Sequence, residues 1–506
     1  MTHNAQKTCW NCPAAKLKGN VDFRGCGQSG RIVPKGESKQ IMIECKRRPG
    51  LGHFEPTIEF QNCPEWRETE YGYLLEDMRV MILGIDGYLG WTLALKLGNL
   101  GCQVSGIDNF TRRELVDEKG SQSVVPIRPI DERLEAAKEV LDIDINFREM
   151  DLRDEDKLRD FIQEVEPESI VHYAEISSAP YSMGGMKNAV EVQDNNVLGT
   201  LKLLHIMKDE VPTTSLVKLG TMGEMGSPLT GRPLFEGLFP SDAKIEWEDK
   251  EWSLGGEMTP RDPASFYHCS KVHDTYNIYE SCKYWWMRSM DVMQGIIYGV
   301  HTEELAQDKR LRTRLDVDEA FGTLINRFVS QAVSDIPLTV YGEGEQIRGM
   351  IPLRDAMECM VRLIGSPSEP GQYDVVNQIS GVHKVKEVAE TVADVAQNEF
   401  DLDTSIQRIE NPRVEPEQHP FYAIARKLPK EFGFESNISM HEEVEKMFEV
   451  LTQERVKERI RENREVILPE TRWDSQDGEL GVIEEYEPGE KEMGRYKGKI
   501  DRGKED

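Results

Sequence analysis

Long apolar stretches are missing from this 506-residue chain. The longest, such as 295–300, fall far short of the ~18 residues that a bilayer-spanning helix needs, so no membrane insertion is expected. Positive charge is scarce: 62 Lys+Arg stand against 91 Asp+Glu, a net charge of −29. A protein held on nucleic acid through phosphate contacts needs the opposite balance, and no nucleic-acid partner is expected. The polar start, Met1 to Thr8, lacks an apolar h-region, so no secretory signal is read and a cytoplasmic location is expected. Cysteine is sparse beyond residue 63. Cys102, Cys269, Cys282 and Cys359 are scattered as reduced thiols of a cytosolic protein would be. What is there suffices for a core: 38% of residues are hydrophobic, with 16 Phe, 15 Tyr and 8 Trp, which excludes a chain too polar to fold. The length predicts two or three domains. The acidity fits either a high-salt cytoplasm or an ordinary acidic surface, and composition does not choose between them.

Residues 1–77 read as a Cys-rich extension, with five cysteines spaced Cys9-x2-Cys12-x13-Cys26-x18-Cys45-x17-Cys63. A Cys-x2-Cys knuckle can supply two corners of a zinc site or part of an iron–sulfur cluster. The second knuckle of a strong signal is missing. Cys9, Cys12, Cys26 and Cys45 are the candidates for Zn or Fe–S, set against plain reduced thiols. Residues 78–473 alternate short apolar strands with amphipathic helices, which predicts parallel βαβ units and an α/β, Rossmann-type doubly wound sheet. Strands are read at 79–83, 103–107, 146–150, 169–173, 215–219 and 290–298. Cofactor binding is assigned mainly to 78–300. From about 300 the pattern loosens, with a strand-like 337–341 and a helix-like 384–395, which predicts a smaller substrate-binding region over 300–473. The charged tail 474–506 is expected to be disordered.

Between the first strand and its helix lies Gly84-Ile-Asp-Gly-Tyr-Leu-Gly90. Glycines there make the tight turn, admit a pyrophosphate close to the backbone and let helix pack on strand, while the helix N-terminus offers N–H donors. The first gap is one residue longer than the common dinucleotide fingerprint, and the strand–turn–helix context is what gives the motif weight. Gly84, Asp86, Gly87, Tyr88 and Gly90 are the expected cofactor contacts. Asp108 ends the second strand, where a carboxylate accepts from ribose hydroxyls and repels a 2′-phosphate, which favours NAD. Asn109 and Arg112 follow it, and Arg112 with Arg113 blurs that preference. Asp151, with Leu152, ends the third strand as a candidate adenine partner. Farther on, Tyr267-His-Cys-Ser-Lys271 sets a phenol and an ammonium at i and i+4 on one helix face. A tyrosine with a pKa near ~10 needs roughly 4 kcal/mol of differential stabilisation to work as a base near neutrality, within reach of two close positive charges. Thr221 ends a preceding strand and can bond the substrate alcohol. The set Thr221, Tyr267 and Lys271 reads as hydride abstraction from a secondary alcohol.

With these residues in hand the chain resembles the extended short-chain dehydrogenase/reductases of the NAD-dependent epimerase/dehydratase family, and among them the UDP-sulfoquinovose synthase branch. The segments that carry the likeness include 84–91, Asp108-Asn109 with Arg112-Arg113, 178–183, 195–200, 217–224, 265–274, 321–323, 337–342 and 411–415. Dehydratases of the family carry Asp-Glu after the threonine, and this chain has Met222-Gly223. The resemblance implies tightly bound NAD, regenerated each cycle, and a UDP-sugar substrate, UDP-glucose first. A hydride leaves C4 with Tyr267 as base and Lys271 lowering its pKa and holding the nicotinamide ribose. Water leaves across C5 and C6, sulfite adds at C6, and the hydride returns. His268 and Glu224 match family positions for the proton transfers at C5 and C6. Arg348 and Arg413 are the expected diphosphate clamps, with Arg327, Thr339 and Tyr341 also on the substrate side. A homodimer is implied as well. One departure stands out: the family's Gly-Glu-Gln-Arg-Ser-Ala-Pro reads here Ala174-Glu-Ile-Ser-Ser-Ala-Pro180, so an arginine has become Ser177. Losing that charge-assisted donor opens a UDP-sugar 4-epimerase or dehydratase that uses no sulfite as the alternative. A non-catalytic nucleotide-sugar or NAD sensor is the second alternative, against which the intact Thr221, Tyr267 and Lys271 speak.

Overall fold

The computed structural model of the chain describes residues 15–18, 42–45, 75–227, 230–413, 419–468, 481–486 and 499–503. It divides into two units, residues 1–78 and 79–506. In the first unit, strands Ala15–Lys18 and Met42–Cys45 pair antiparallel, with Ala15 opposite Cys45. Cys9, Cys12, Cys26 and Cys63 lie outside the described residues, and of Cys45 only the backbone is described. Among the described residues no group of three or more His, Cys, Asp or Glu is placed to hold a metal ion.

In the second unit the alternating pattern folds into parallel βαβ units. Strand β1 (Arg79–Leu83) leads through α1 (Tyr88–Asn99) to β2 (Gln103–Asp108), and β3 (Ile145–Glu149), β4 (Ser169–His172), β5 (Ser215–Thr221), β6 (Arg288–Gln294) and β7 (Tyr373–Gln378) complete a seven-stranded sheet. The order is 3-2-1-4-5-6-7 and every pairing is parallel. Residues Val80–Leu83 and Ile170–Val171 are fully buried, as expected of parallel strands covered by helices on both faces. The chain reverses its winding between β1 and β4. A crevice opens there beyond the carboxyl ends of the strands, the place where open α/β sheets receive ligands.

The strand expected over 290–298 is two strands in two sheets. After β6 the chain passes Gly295 and continues as Ile296–Tyr298, which pairs with Ile347–Pro352. A β-carbon on Gly295 would stand 2.6 Å from the Gly349 carbonyl oxygen, so two backbones cross where only glycine fits. The second apolar core belongs to the C-terminal region, where helices Leu324–Val333, Val385–Phe400 and Met440–Leu451 bury Phe328, Val388, Val392, Met447 and Phe448.

The tail expected to be disordered contains two strands. Val482–Tyr486 pairs antiparallel with Ile406–Ile409, and Lys499–Asp501 pairs parallel with Tyr422–Ile424. Arg426 clasps Asp501, and Arg502 donates to the Ser380 carbonyl at 2.6 Å. Backbone pairing to partners 73–80 positions away orders segments whose composition alone would not. Among the described residues no helix is long and apolar enough to cross a membrane.

Candidate active site

The crevice is a cavity of about 1120 Å³ that runs from the Gly84–Gly90 turn to Arg413. At its first end, Gly84 has φ +83°, and a β-carbon on it would meet Tyr173 and Ala174 backbone at 2.8 Å. One on Gly90 would lie 2.1 Å from the Gly84 carbonyl oxygen. The turn is therefore a cradle that any side chain would fill, which fits close approach by a pyrophosphate. Asp108 accepts the Asp86 and Phe110 amides at 2.8 Å each, one per oxygen, and keeps a lone pair on each oxygen for ribose hydroxyls. Burial and the neighbouring Asp86 push its carboxyl up to about 6. Gly87, Tyr88, Asn109, Arg112 and Leu152 line the same stretch.

Two residues expected to contact the cofactor turn their carboxylates to arginines of the protein. Asp86 is buried, and both of its oxygens are taken by Arg113 (2.7 and 2.6 Å) and Arg133 (2.6 Å). Asp151 accepts four hydrogen bonds, three from Arg153 and one from Asn109 at 2.9 Å. Neither carboxylate lines the cavity. Both brace the loops that do, and a strand-end position in the sequence does not say which way a carboxylate turns.

The chemical wall is built by β5 and α2 (Phe266–Trp285). Ser265 caps α2 by accepting the His268 amide at 3.2 Å, and the Tyr267 amide donates to Ser182 at 3.0 Å, so the first turn is pinned. Tyr267, His268 and Lys271 then face the cavity from one helix side, opposite Thr221 at the end of β5. Thr221 Oγ1 accepts the Gly223 amide at 3.1 Å, which leaves its hydroxyl proton to donate. A β-carbon on Gly223 would stand 2.3 Å from His268 Nε2, so this glycine is the space the imidazole occupies. Burial, then Arg413 and Arg348, lower His268 to about 4 and keep the ring neutral above that pH.

The protein groups around Tyr267 hold a carboxylate as well as the expected Lys271 ammonium. Lys271 Nζ is ion-paired with Glu175 and donates to the Leu219 carbonyl at 2.5 Å; it stands 5.8 Å from the Tyr267 ring centre. Burial first and then the Glu175 carboxylate push the Tyr267 phenol upward, against Lys218 and Arg112. The ammonium is matched by an anion, so its effect on the phenol is largely cancelled. Glu224, expected among the proton-transfer groups, is placed behind the wall. Its side chain is fully buried, accepts from Thr275 at 3.0 Å, lies 3.6 Å from Arg261 and does not line the cavity. Burial, then Asp291, raise it to about 7.

At the far end, Arg327 and Arg413 lie 5.0 and 5.7 Å from the Tyr341 ring centre, and Arg348 contacts His419 at 3.1 Å. The three guanidiniums and Tyr341 all line the cavity; Thr339 does too, but its hydroxyl accepts from Gln331 at 2.8 Å. At the departure from the family pattern, Ile176 is core, packed with Tyr181 and Phe321. Ser177 Oγ accepts from Arg112 at 2.8 Å, and Arg112 lies 4.2 Å over the Phe321 ring. Sequence reasoning passed over Glu175 and Lys218. The available signal was their place at or near the carboxyl ends of β4 and β5, where open sheets gather chemistry.

Comparison with known proteins agrees with this geometry. The model of the NAD dependent epimerase/dehydratase family matches residues 80–377. A UDP-sulfoquinovose synthase of Sulfolobus acidocaldarius is 39% identical over 396 residues, covering 78% of this chain and 98% of that protein. The chloroplastic UDP-sulfoquinovose synthase of Spinacia oleracea is 38% identical over 350 residues, 69% of this chain and 70% of the other. Among solved structures, UDP-glucose 4-epimerase from Bifidobacterium longum shares the fold with a TM-score of 0.55 at 18% identity, covering 75% of this chain and 99% of that one. A Rossmann-type sheet, a glycine cradle at its switch point and a Thr–Tyr–Lys wall therefore sit in a chain that belongs to the NAD-dependent epimerase/dehydratase family and is an NAD-dependent enzyme of it.

Proposed function

We propose that the protein converts UDP-glucose and sulfite to UDP-sulfoquinovose. The single observation that carries the reading is that one cavity joins the Thr221–Tyr267–Lys271 wall to a cluster of three arginines suited to a diphosphate. The names of the two curated relatives point to the same product. The glycine cradle and Asp108 would hold NAD, which supplies the hydride acceptor at the start of the cycle and the donor at its end. Arg327, Arg348 and Arg413 bind the diphosphate and hold the sugar against the wall. Thr221 donates its hydroxyl proton to the sugar 4-oxygen, and Tyr267 removes the proton from that oxygen. Lys271 has two N–H bonds committed and one left for the ribose side. His268 is neutral. In the tautomer that donates Nδ1–H to Ser265 at 3.1 Å, its Nε2 can take the C5 proton once C4 is a ketone. Loss of the C6 hydroxyl as water leaves an unsaturated C6, to which sulfite adds through sulfur. Arg112, resting on Ser177, provides a guanidinium beside the position where the family pattern has one. The 4-epimerase reading is favoured by one observation, the apolar Ile176 in that same turn.

Purified protein incubated with UDP-glucose, with and without sulfite, and read by mass spectrometry tests this. A sulfonated product formed only with sulfite is expected. A 4-keto product or a galactose epimer in its place overturns the sulfite step, and no turnover of any UDP-sugar overturns the whole reading. A homodimer is part of the proposal. Met186 (85% exposed), Val190 (61%) and Phe266 (52%) leave an apolar face on helices that pack together, and light scattering should give twice the chain mass.

A further inference from the structure

Behind the chemical wall lies a cluster of four ionisable side chains. Glu175 Oε2 pairs with Lys271 Nζ, Glu175 Oε1 stands 4.0 Å from Lys218 Nζ, and Lys218 Nζ stands 3.5 Å from Asp274 Oδ2. The side chains are 2%, 1%, 0% and 0% exposed for Glu175, Lys271, Lys218 and Asp274. Lys218 Nζ has no hydrogen-bond partner among the described residues, and the Asp274 carboxyl sits against both Lys218 and the Glu175 carboxylate. Burying ions is costly, and apolar side chains of the same size would commonly serve stability as well or better. A cluster of this kind beside a cavity marks charge held in place for chemistry. Only Glu175 and Lys271 of the four reach the cavity, alongside Tyr267.

The turn that carries Glu175 is held firmly. The π-helical turn Asp194–Leu198 points Asn196 into it, where Asn196 accepts the Ile176 amide at 2.9 Å, donates to the Ile176 carbonyl at 3.3 Å and bonds Ser270 on α2 at 3.0 Å. The carboxylate is therefore fixed relative to the helix that bears Tyr267 and Lys271. A lone ammonium buried at position 271, with a second lysine nearby, would shed its proton. Glu175 opposes both the burial and the Lys218 charge that push Lys271 down. The same carboxylate opposes ionisation of Tyr267.

We propose that Glu175 is a positioning residue for hydride transfer: it holds Lys271 protonated and aimed, and, against the counterweight of Lys218, it sets the pH window in which Tyr267 exchanges its proton. This rests on the Tyr267–Lys271 reading of the preceding subsection. The groups facing Tyr267 are Glu175, Lys218, Glu224 and Arg112, with Lys271 and the His268 ring beside it. Those facing Lys271 are Glu175, Lys218 and Asp274, with His172 close to the same cluster and Arg261 one layer behind, on Glu224. Removing the Glu175 charge takes an anion from both the phenol and the ammonium. Both then titrate at lower pH, and the window moves to acid. Removing the Lys218 charge does the reverse.

The test uses the full-length, NAD-loaded protein. Tyrosinate absorbance, taken as the difference from Tyr267→Phe, reads the phenol directly and without substrate. The pH dependence of UDP-glucose-driven reduction of the bound nicotinamide reads the window. In Glu175→Gln, the Tyr267 titration and both limbs of the rate profile are expected about one pH unit or more lower than in the wild type. In Lys218→Met they move higher, and in Glu175→Asp they stay near wild type with a reduced rate. A Glu175→Gln protein that is slower at every pH, with titration and limbs unmoved, overturns the proposal. If that variant does not fold, a shifted window in Glu175→Asp overturns it instead. If Tyr267→Phe still reduces the nicotinamide, the underlying reading fails and the proposal fails with it; if only the Glu175 shifts are missing, the reading survives alone.

Discussion

The chemical wall and the far end of the cavity handle charge in opposite ways. At the Tyr267 wall, Lys271 meets Glu175 and Lys218 meets Asp274, each pair within 4 Å and sealed from water. At the Tyr341 end three guanidiniums gather, and among the described lining residues the only acids are Asp108, Glu175 and Asp262. This local cationic end stands out in a chain with a net charge of −29. An end that binds a permanent anion gains from a standing positive field. A wall that moves a proton to and fro gains from balance, because an uncompensated charge would fix the phenol in one state.

The sharpest way to break the comparison is Tyr267→Phe. It should lower UDP-sugar-driven nicotinamide reduction by roughly 10²- to 10⁴-fold, the usual contribution of a positioned acid–base group, while bound NAD is retained. Stopped-flow absorbance checks the first part and released-cofactor analysis the second. Arg413→Ala sharpens the other end. Loss of a charge-assisted contact of about 1.5–3 kcal/mol should weaken UDP binding about 10- to 100-fold in calorimetry and leave NAD untouched. The smallest effect is expected outside both, at the brace Asp151–Arg153. Arg153 hydrogen bonds, set against partial burial, lower the Asp151 carboxyl to about 2, below its unfolded value near ~3.9. Its contribution is present above that unfolded value and fades as pH falls toward 2. Arg153→Ala should cost about 0–1 kcal/mol at neutral pH in denaturant unfolding, and the difference from wild type should vanish in acid.

The sheet was legible because its signals are local. Apolar runs, the glycine turn and the i, i+4 pair Tyr267–Lys271 each fit in a window of a few residues, and each lands where the pattern places it. The site was legible only in part. Asp86, Asp151 and Glu224 sit at motif positions, yet their carboxylates turn to Arg113, Arg153 and Thr275, partners set by tertiary packing. Glu175 drew no notice because its meaning depends on Lys271, 96 positions away. The split at Gly295 and the two late strands escaped for the same reason, since strand pairing across distant segments leaves little trace in composition.

Those two late strands bear on what happens around Arg413. One ends its pairing at Ile409, where Gly481 also receives the Glu410 amide at 2.9 Å; the other begins at Tyr422, where the Lys499 amide reaches the Phe421 carbonyl at 2.8 Å. They anchor the chain at Glu410 on one side of Arg413 and at Phe421 on the other. A change that unpairs either late strand would loosen the anchor on its side of Arg413, with the glycine cradle far along the cavity left intact.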